Sequence, residues 1–245
     1  MEAQSIQEYE RLEKYYWWFV GRRNIIARVL NKYFSGKQLR ILDWGCGPGG
    51  NFKLLEQYGQ VLGVDASDES VSACRRKGIT AVLKAEDLSE FRPNTAYDLI
   101  TNFDVLEHIS DDVGFLRGVR ELLTPGGHMM VTVPAYQFLW GRLDEVVGHK
   151  RRYTRKEIVR KFNQCGFSVV MASYFNFFIS PAFVAYRMIE KLKRNTKRSL
   201  SGSVVEFPAL VNWLFAKIVF LEALLIPHIN LPFGTSIIVL AKKQA

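Results

Sequence analysis

The fold class of this chain is decided by residues 39–50, Leu-Arg-Ile-Leu-Asp-Trp-Gly-Cys-Gly-Pro-Gly-Gly. An apolar run ends at Leu42, an acid follows at Asp43, and a turn rich in glycine leads into a helical pattern. Glycine residues allow positive φ and a close approach of the backbone to a ligand, and the first turn of a helix presents free N–H groups. The sequence therefore predicts a strand, a tight turn and a helix that together hold a nucleotide-like ligand.

Short apolar runs alternate with helical patterns from this stretch onward. This order is typical of parallel βαβ units with right-handed crossovers. Before it, apolar residues at helical spacing predict two helices within residues 5–35. The predicted strands are 39–43, 60–64, 80–83, 97–102, 127–133, 166–171 and 235–241, and the predicted helices among them are 49–58, 68–77, 112–123 and 154–164. The sequence thus predicts an α/β fold.

The bulk composition bounds the partners and the compartment. The 245 residues carry a formal net charge of +9, which suits an anionic lipid, a phosphorylated substrate or nucleic acid, or reflects only a basic surface. The three cysteines are scattered, without the spacing of a metal site or of a disulfide framework. No secretory signal opens the sequence, and no uncharged apolar run reaches the ~20 residues of a membrane-spanning helix. We therefore expect a cytoplasmic protein.

The glycine turn also fits the dinucleotide-binding fingerprint, with Gly45, Gly47 and Gly50 at the required spacing. Asp65 ends the second predicted strand, where an acid meets ribose hydroxyls. This geometry leaves NAD(P) and S-adenosylmethionine both open. Asp43 favours S-adenosylmethionine, because a carboxylate directly before the glycines repels a pyrophosphate but attracts an ammonium or sulfonium group.

Five segments, in order, resemble motifs of the class I S-adenosylmethionine-dependent methyltransferases. They are Asp43–Gly49, Val64–Ser67, Ala85–Leu88, Tyr97–Phe103 and Leu122–His128. The chain is similar to a methyltransferase-11/23-like subgroup related to the ubiquinone-biosynthesis O-methyltransferases. The resemblance implies a Rossmann-like seven-stranded sheet with helices on both faces, an antiparallel last strand, and S-adenosyl-L-methionine as methyl donor. The cofactor contacts that it implies are Asp43, Gly45, Cys46, Gly47, Gly49, Asp65, Ala66, Glu86, Asp87, Leu88, Asn102, Phe103 and Arg22.

A single domain is expected over residues 1–245. The resemblance implies that residues 1–36 form a helical lid, 37–134 the cofactor-binding core, 135–176 the acceptor side, 177–230 a helical insertion and 231–245 the last strand. In the lid, Arg22 would meet the methionine carboxylate. Trp17 and Trp18 could close over the acceptor, or simply pack their helix onto the sheet.

Methyl transfer to a hydroxyl needs a base or a metal. Asp104, Glu107 and His108 follow the fourth predicted strand at helical spacing, so they could bind a divalent cation on one helix face. The segment is similar to one that can hold a metal in the ubiquinone-biosynthesis O-methyltransferases, but Leu-Glu-His is also widespread in the superfamily without metal. We expect no metal here, and His108 remains a candidate catalytic residue.

A basic loop follows the fifth predicted strand, in a region that commonly covers the acceptor pocket in this fold. His149 is the predicted general base. Arg151 and Arg152 could hold an acidic acceptor, with Tyr136 and Tyr153 lining its pocket. The alternative is a solvated basic loop that caps the following helix.

The insertion at residues 177–230 joins apolar stretches to a basic segment from Lys191 to Ser203. This composition suits the inner face of a membrane with anionic lipids, and the alternatives are a dimer interface or helices that pack on their own domain. The predicted acceptor is a small molecule, glycan-related or lipid-linked, methylated on oxygen. Nucleic acid is not expected, and the sequence does not predict the oligomeric state. The rival functions are an NAD(P)-dependent oxidoreductase and a non-catalytic membrane-peripheral protein with a degenerate cofactor site.

Overall fold

The computed structural model describes residues 3–192 and 206–244. The strands are β1 Leu39–Trp44, β2 Gly59–Asp65, β3 Val82–Lys84, β4 Tyr97–Phe103, β5 Leu123–Pro134, β6 Phe167–Phe175 and β7 Ser236–Lys243. The helices are α1 Ala3–Tyr15, α2 Trp17–Phe34, α3 Phe52–Leu55, α4 Asp68–Arg76, α5 Asp112–Leu122, α6 Arg142–Val147, α7 Arg155–Gln164, α8 Ser180–Leu192 and α9 Ala209–Leu225. Short 3-10 turns lie at Leu106–His108 and Gln137–Leu139.

The strands form one sheet in the order β3-β2-β1-β4-β5-β7-β6. β1 to β5 are parallel, whereas β7 runs antiparallel between β5 and β6. The chain moves outward from β1 to β3 and then returns to place β4 on the other side of β1. This reversal opens a crevice at the carboxyl ends of β1 and β4, which is where open α/β sheets bind ligands. The predicted seven-stranded sheet with an antiparallel last strand is confirmed.

Both faces of the sheet are covered, because neighbouring residues along its central strands point to opposite sides. Ile41 and Leu99 are fully buried in one core, and Leu42 and Ile100 in the other. The first core takes Ile25, Ile26, Val29 and Leu30 from α2, and the second takes Leu116 and Val119 from α5 and Ile158 and Phe162 from α7. Each such side chain stabilises the fold by roughly 1.5–3 kcal/mol.

The helix after the glycine turn is shorter than predicted. The pattern predicts a helix over 49–58, whereas α3 spans only Phe52–Leu55. Gly47 and Gly49 have φ of 54° and 84°, which keeps the turn out of the right-handed helical region. At the other end, β2 begins at Gly59, where a Cβ would overlap the backbone of Leu39. The sequence pattern also does not predict α6.

The insertion between β6 and β7 carries α8 and α9, and α9 packs on α2. Val219 lies against Gly21, where a side chain would overlap it. Asn212 accepts a hydrogen bond from the Trp17 backbone N–H at 2.8 Å, and Glu222 is fully buried. One side of α9 therefore covers its own domain. Residues 193–203, most of the predicted basic segment, lie outside the described residues.

The opposite side of α8 and α9 is apolar and open to solvent. We call it the outer apolar face. Its members are 39–75% exposed and comprise Tyr186, Met188, Ile189, Leu210, Trp213, Leu214, Leu221, Leu224 and Leu225. Within the described ranges, every helix is too short or too polar to cross a membrane.

Candidate cofactor and acceptor site

The glycine turn lies at the carboxyl end of β1, beside the end of β4. Gly45, Gly47 and Gly49 have φ of 78°, 54° and 84°, which residues with a Cβ rarely adopt. A Cβ on Gly45 would overlap Val105, whereas a Cβ on Gly47 would meet nothing within 4 Å. The turn is therefore packed against the β4 end on one side and has free space beside Gly47, as a ligand cradle requires.

Asp65, at the end of β2, holds the turn from the adjacent strand. Its carboxylate accepts hydrogen bonds from the backbone N–H groups of Gly47 at 2.8 Å and Ser67 at 2.9 Å. Ala66 beside it is exposed. The acid thus lies next to the cradle at the strand end where the sequence predicts ribose.

The predicted adenine segment follows β3. Glu86 and Asp87 are exposed, and Leu88 packs against Gly118 of α5. Asp87 accepts a hydrogen bond from the backbone N–H of Ser89 at 2.6 Å, and the contacts with Ser89 lower the pKa of Asp87. Asp87 therefore shapes its own turn, and the adenine contacts of this segment stay a prediction.

Asp43 places a carboxylate beneath the turn. One of its oxygens accepts a hydrogen bond from Thr101 Oγ1 at 2.7 Å, while the buried Oδ2 has no partner among the described residues. Burial raises the pKa of Asp43 to about 6. Asn102 is similar, since its Nδ2 donates to the Trp44 carbonyl at 3.1 Å and its Oδ1 is buried without a described partner. Buried polar atoms are normally satisfied, so these two indicate where a polar ligand fits.

Cys46 and Phe103, two further predicted cofactor contacts, have side chains that face the core. The side chains of Cys46 and Phe103 are both buried in the core on the α2 side of the sheet. Cys46 sits within the turn, and its backbone N–H donates to the Val64 carbonyl at 3.1 Å. These two side chains therefore belong to the packing around the turn and not to its open side.

Arg22 of α2 lies over the end of β4. Its guanidinium is 2% exposed, pairs with Asp104 and lies 4.6 Å from the centre of the Trp18 ring. Burial opposes the charge, but Asp104, Tyr9 and Glu13 together outweigh burial and raise the pKa of Arg22. Its Nε has no partner in the part of the chain that the structure describes. The Arg22 guanidinium, whose Nε–H can still donate, therefore lies beside the crevice, where the sequence predicts that the methionine carboxylate binds.

Trp17 and Trp18 play different parts in the lid. Trp17 is buried, and its ring centre lies 5.5 Å from that of Phe215 on α9. Trp18 is half-buried against Arg22. Trp17 thus packs its helix against the domain, which is one of the two roles predicted from the sequence. Trp18 lies beside the buried charges of Arg22 and Asp104.

The predicted grouping of Asp104 with Glu107 and His108 on one helix face does not form. Leu106–His108 is a 3-10 turn, and Asp104 has a φ of 56° that turns it toward Arg22 and Thr132. Instead, ligand atoms of Glu107, His108 and His149 lie within 4.8 Å of one another. These three groups are close enough to contact one small group together.

His149 is held by Asp144, a residue that the sequence analysis does not single out. Its Nδ1 lies 2.7 Å from Asp144 Oδ1, and Arg152 donates to both Asp144 oxygens at 2.8 and 3.0 Å. Burial opposes ionisation of Asp144, but the hydrogen bonds from His149 and Arg152 outweigh it and lower its pKa to about 2. Because an ionised carboxylate only accepts, Nδ1 of His149 carries a proton, and in the neutral imidazole the lone pair lies on Nε2.

Glu107 lies 3.7 Å from Nε2 of His149. Glu107 is fully buried, and neither of its carboxyl oxygens has a hydrogen-bond partner within residues 3–192 and 206–244. Burial raises the pKa of Glu107 well above its ordinary value and lowers the pKa of His108. Both shifts favour uncharged groups, so this pocket can exchange hydrogen bonds with a neutral acceptor.

Three predicted acceptor residues have partners inside the protein. Arg151 pairs with Asp112 at 3.0 Å, and Arg152 is engaged by Asp144. Tyr153 is buried and donates to Asp112 at 2.9 Å. These contacts fix the basic loop against the domain, and direct contact of the three residues with an acceptor stays a prediction.

Tyr136 follows β5 in a strained conformation with a φ of 57°. Its ring lies between those of Tyr174 and Phe233, with centres 5.1 and 4.9 Å away. Strain of this kind persists where the surroundings enforce it, often beside functional sites. The Tyr136 backbone N–H donates to the Tyr153 carbonyl at 2.8 Å, so Tyr136 lies beside the basic loop that carries His149.

These features fit a ligand with an amino-acid end and a ribose. The buried carboxylate of Asp43 suits a positive group, Arg22 Nε suits a carboxylate, and Asp65 suits ribose hydroxyls. A family model for the methyltransferase domain matches residues 19–172, more than half of the chain. The chain belongs to the S-adenosylmethionine-dependent methyltransferases. The methyl donor is therefore S-adenosylmethionine, and the alternative of an NAD(P)-dependent oxidoreductase is wrong.

The methyltransferase is similar to curated relatives over part of its length. It is 35% identical over 100 residues to the ubiquinone biosynthesis O-methyltransferase of Cereibacter sphaeroides, a match that covers 38% of the chain and 40% of that relative. It is 27% identical over 144 residues to the ubiquinone biosynthesis O-methyltransferase of Yersinia pestis, covering 53% and 60%. The chain thus spans less than two thirds of the length of these relatives.

A solved structure agrees with the fold over nearly the whole chain. The putative methyltransferase in complex with the Haloferax volcanii Trm112 methyltransferase activator has a TM-score of 0.62. The two chains are 15% identical, with 99% of this chain and 96% of that chain covered. At this identity the comparison establishes the fold alone.

Proposed function

We propose that the methyltransferase methylates an oxygen atom of a small-molecule, glycan-related or lipid-linked acceptor, with His149 as general base. The observation that carries the proposal is the 2.7 Å contact between His149 Nδ1 and Asp144. It orients the imidazole and leaves Nε2 as a proton acceptor beside the buried Glu107. The names of the relatives, O-methyltransferases, also support oxygen as the acceptor atom.

The proposed reaction is an in-line displacement. Bound S-adenosylmethionine supplies a methyl group on a sulfonium, and S-adenosylhomocysteine is the product. His149 Nε2 takes the proton of the acceptor hydroxyl as its oxygen attacks the methyl carbon. Asp144 stabilises the imidazolium that results, and Arg152 keeps Asp144 ionised and in place. The lid helices α1 and α2 and the basic loop position the reactants and exclude water.

Labelled methyl transfer tests this proposal. S-adenosylmethionine with a labelled methyl group is incubated with the protein and with lipid or aqueous fractions of a cell extract. We expect label in one fraction, and a loss of about 100-fold or more with His149→Ala, as is typical for removal of a general base. The matched control is His228→Asn, since His228 is exposed. Full activity of His149→Ala, with its fold intact by circular dichroism, would rule out the base.

We also propose that the outer apolar face rests on an anionic membrane surface at the inner leaflet, which would bring a lipid-linked acceptor to the site. Leu210, Trp213 and Leu221 are 55–75% exposed on α9. The sequence between α8 and α9 adds basic residues, among them Lys193, Arg194, Lys197 and Arg198. Apolar side chains beside basic ones are the composition of segments that bind in the interface of anionic bilayers.

A further inference from the structure

Glu13 brings a carboxylate from the lid onto the glycine turn. It lies on α1 and is 6% exposed. Its carboxylate lies so close to Gly50 that a Cβ at that position would overlap it. Gly50 is not among the glycines with positive φ, so the contact with Glu13, and not the backbone, explains the absence of a side chain there.

The surroundings of Glu13 do not fully offset its burial. Burial raises the pKa of Glu13, Glu10 adds to this effect, and the opposing cations Arg22, Lys77 and Arg23 do not offset it. Lys77 is already engaged by Glu10 at 3.0 Å and by the Pro48 carbonyl at 2.7 Å. A buried carboxylate is costly without a charged partner, so a ligand cation at this place would stabilise the protein.

Glu13 also stands next to the groups that the cofactor requires. It acts electrostatically on Arg22 and on Asp43. Arg22 still has its buried Nε to donate, and Asp43 its buried Oδ2 to accept, with no partner for either among the residues described. Glu13, Arg22 and Asp43 are therefore close enough for their charges to interact beside the glycine turn.

We propose that Glu13 binds the ammonium group of the cofactor's amino-acid end while Arg22 binds its carboxylate, so that the lid recognises the α-amino acid. The inference deepens the proposed methyl transfer, on which it rests. Both residues belong to the lid helices, α1 and α2, and neither lies on the sheet. In this proposal the lid recognises the amino-acid end of the cofactor, while Asp65 and the segment after β3 contact its nucleoside.

Calorimetry with two nucleosides tests this division. S-adenosylhomocysteine carries the amino acid, and methylthioadenosine lacks it. We expect Glu13→Gln to weaken S-adenosylhomocysteine binding about tenfold and methylthioadenosine binding less than twofold, as for loss of one buried charged contact. The matched control is Glu8→Gln on the same helix, which should leave both affinities within about twofold because the groups on which Glu8 acts, Arg11 and Tyr15, are exposed.

A second variant keeps the test independent of the folding of Glu13→Gln. Gly50→Ala leaves the charge in place but displaces the carboxylate, so it should reduce the preference for S-adenosylhomocysteine in the same direction. Equal weakening of both nucleosides, or of neither, in both variants would overturn the assignment of Glu13. Failure of the wild-type protein to bind S-adenosylhomocysteine at all would instead count against methyl transfer itself.

Discussion

Asp43 is a buried acid that the unliganded protein does not fully satisfy. Thr101 offers it one hydrogen bond, and burial raises its pKa to about 6. A carboxyl whose folded pKa exceeds its unfolded value stabilises the protein below the unfolded pKa, near 4, and loses that contribution as the pH rises through about 6. At neutral pH, Asp43 therefore costs stability and offers a negative charge to the cofactor.

Asp43→Asn should accordingly raise the stability of the unliganded protein while lowering its affinity for S-adenosylmethionine. We expect the unliganded variant to be more stable than wild type at pH 7.5 by roughly 1–3 kcal/mol, measured by urea denaturation. Its affinity for S-adenosylmethionine should fall about tenfold. In wild type, affinity should decrease as the pH is lowered from 7 to 5, and in the variant this dependence should be weaker. A less stable variant with unchanged affinity would contradict this role.

Asp144 is expected to act on turnover and not on cofactor binding. Asp144→Asn removes the charge that stabilises the His149 imidazolium and leaves one oxygen where two serve His149 and Arg152. Methyl transfer should therefore fall by about 10²–10⁴-fold. S-adenosylmethionine affinity by calorimetry should stay within about twofold, because Asp144 lies on the acceptor side of the crevice. The control is Glu145→Gln, an exposed neighbour on α6. Wild-type turnover in Asp144→Asn would exclude the positioning role.

The two kinds of site residue differ in how far the sequence can predict them. Gly45, Gly47 and Gly49 are predictable, because the turn requires positive φ and the three glycines lie within five residues of the chain. Glu13 and Asp144 are not, because their roles depend on contacts with Gly50 and with the His149 side chain that no periodicity encodes. Arg151 and Tyr153 are the opposite case. Their residue types predict an acceptor pocket, whereas in the structure both side chains contact Asp112.

At the scale of elements, α9 joins the insertion to the domain through a buried acid. Glu222 is fully buried, and its Oε2 accepts a hydrogen bond from the Phe178 backbone N–H at 3.4 Å. Burial raises the pKa of Glu222 to about 7. Its contribution to stability is therefore present below the unfolded pKa of about 4.5 and is lost as the pH rises through about 7.

Glu222→Gln removes this titration and keeps an oxygen for the Phe178 N–H. We expect the variant to be more stable than wild type at pH 8 by roughly 1–2 kcal/mol, with the difference shrinking toward pH 5. Urea denaturation across this range measures it. Glu56→Gln, at an exposed position, is the control and should follow wild type. A difference that does not change with pH would point to packing and not to protonation.

The strands and the longer helices follow from the sequence, but their ends do not. The apolar runs predict β1, β4 and β7 within a few residues, because both faces of the sheet are buried and each run must stay apolar. α3 ends early because glycine conformations on both sides limit it. α6 spans only six residues, so Leu143, Val146 and Val147 form too short an apolar pattern to predict a helix, and all three are exposed in the structure.

At the scale of the whole molecule, a basic protein with a broad apolar face is expected to respond to membrane charge. In liposome flotation, wild type should float with anionic vesicles and much less with neutral ones, and raised salt should reduce binding. A double variant, Trp213→Ser with Leu221→Ser, should lose most of this binding. Both side chains are at least 55% exposed, so folding should be preserved.

The matched control for flotation is Val219→Ala, which alters the inner side of α9 and leaves the outer apolar face intact. It should float like wild type. Absence of wild-type binding to either vesicle would remove the membrane proposal, and gel filtration at several concentrations would then test whether a second copy covers the same face.

The joint between α1 and α2 has a consequence for biosynthesis. Asn212 accepts a hydrogen bond from the Trp17 backbone N–H and donates to the Tyr15 carbonyl, each at 2.8 Å. The lid helices are translated before the sheet, but Asn212, which fixes the bend between them, is made 195 residues after Trp17. A nascent chain that has completed β1 to β5 can form the glycine turn. It still lacks Asn212, whose two hydrogen bonds fix the bend that positions Arg22 over this turn. Firm retention of the cofactor is therefore expected only after α9 has been translated.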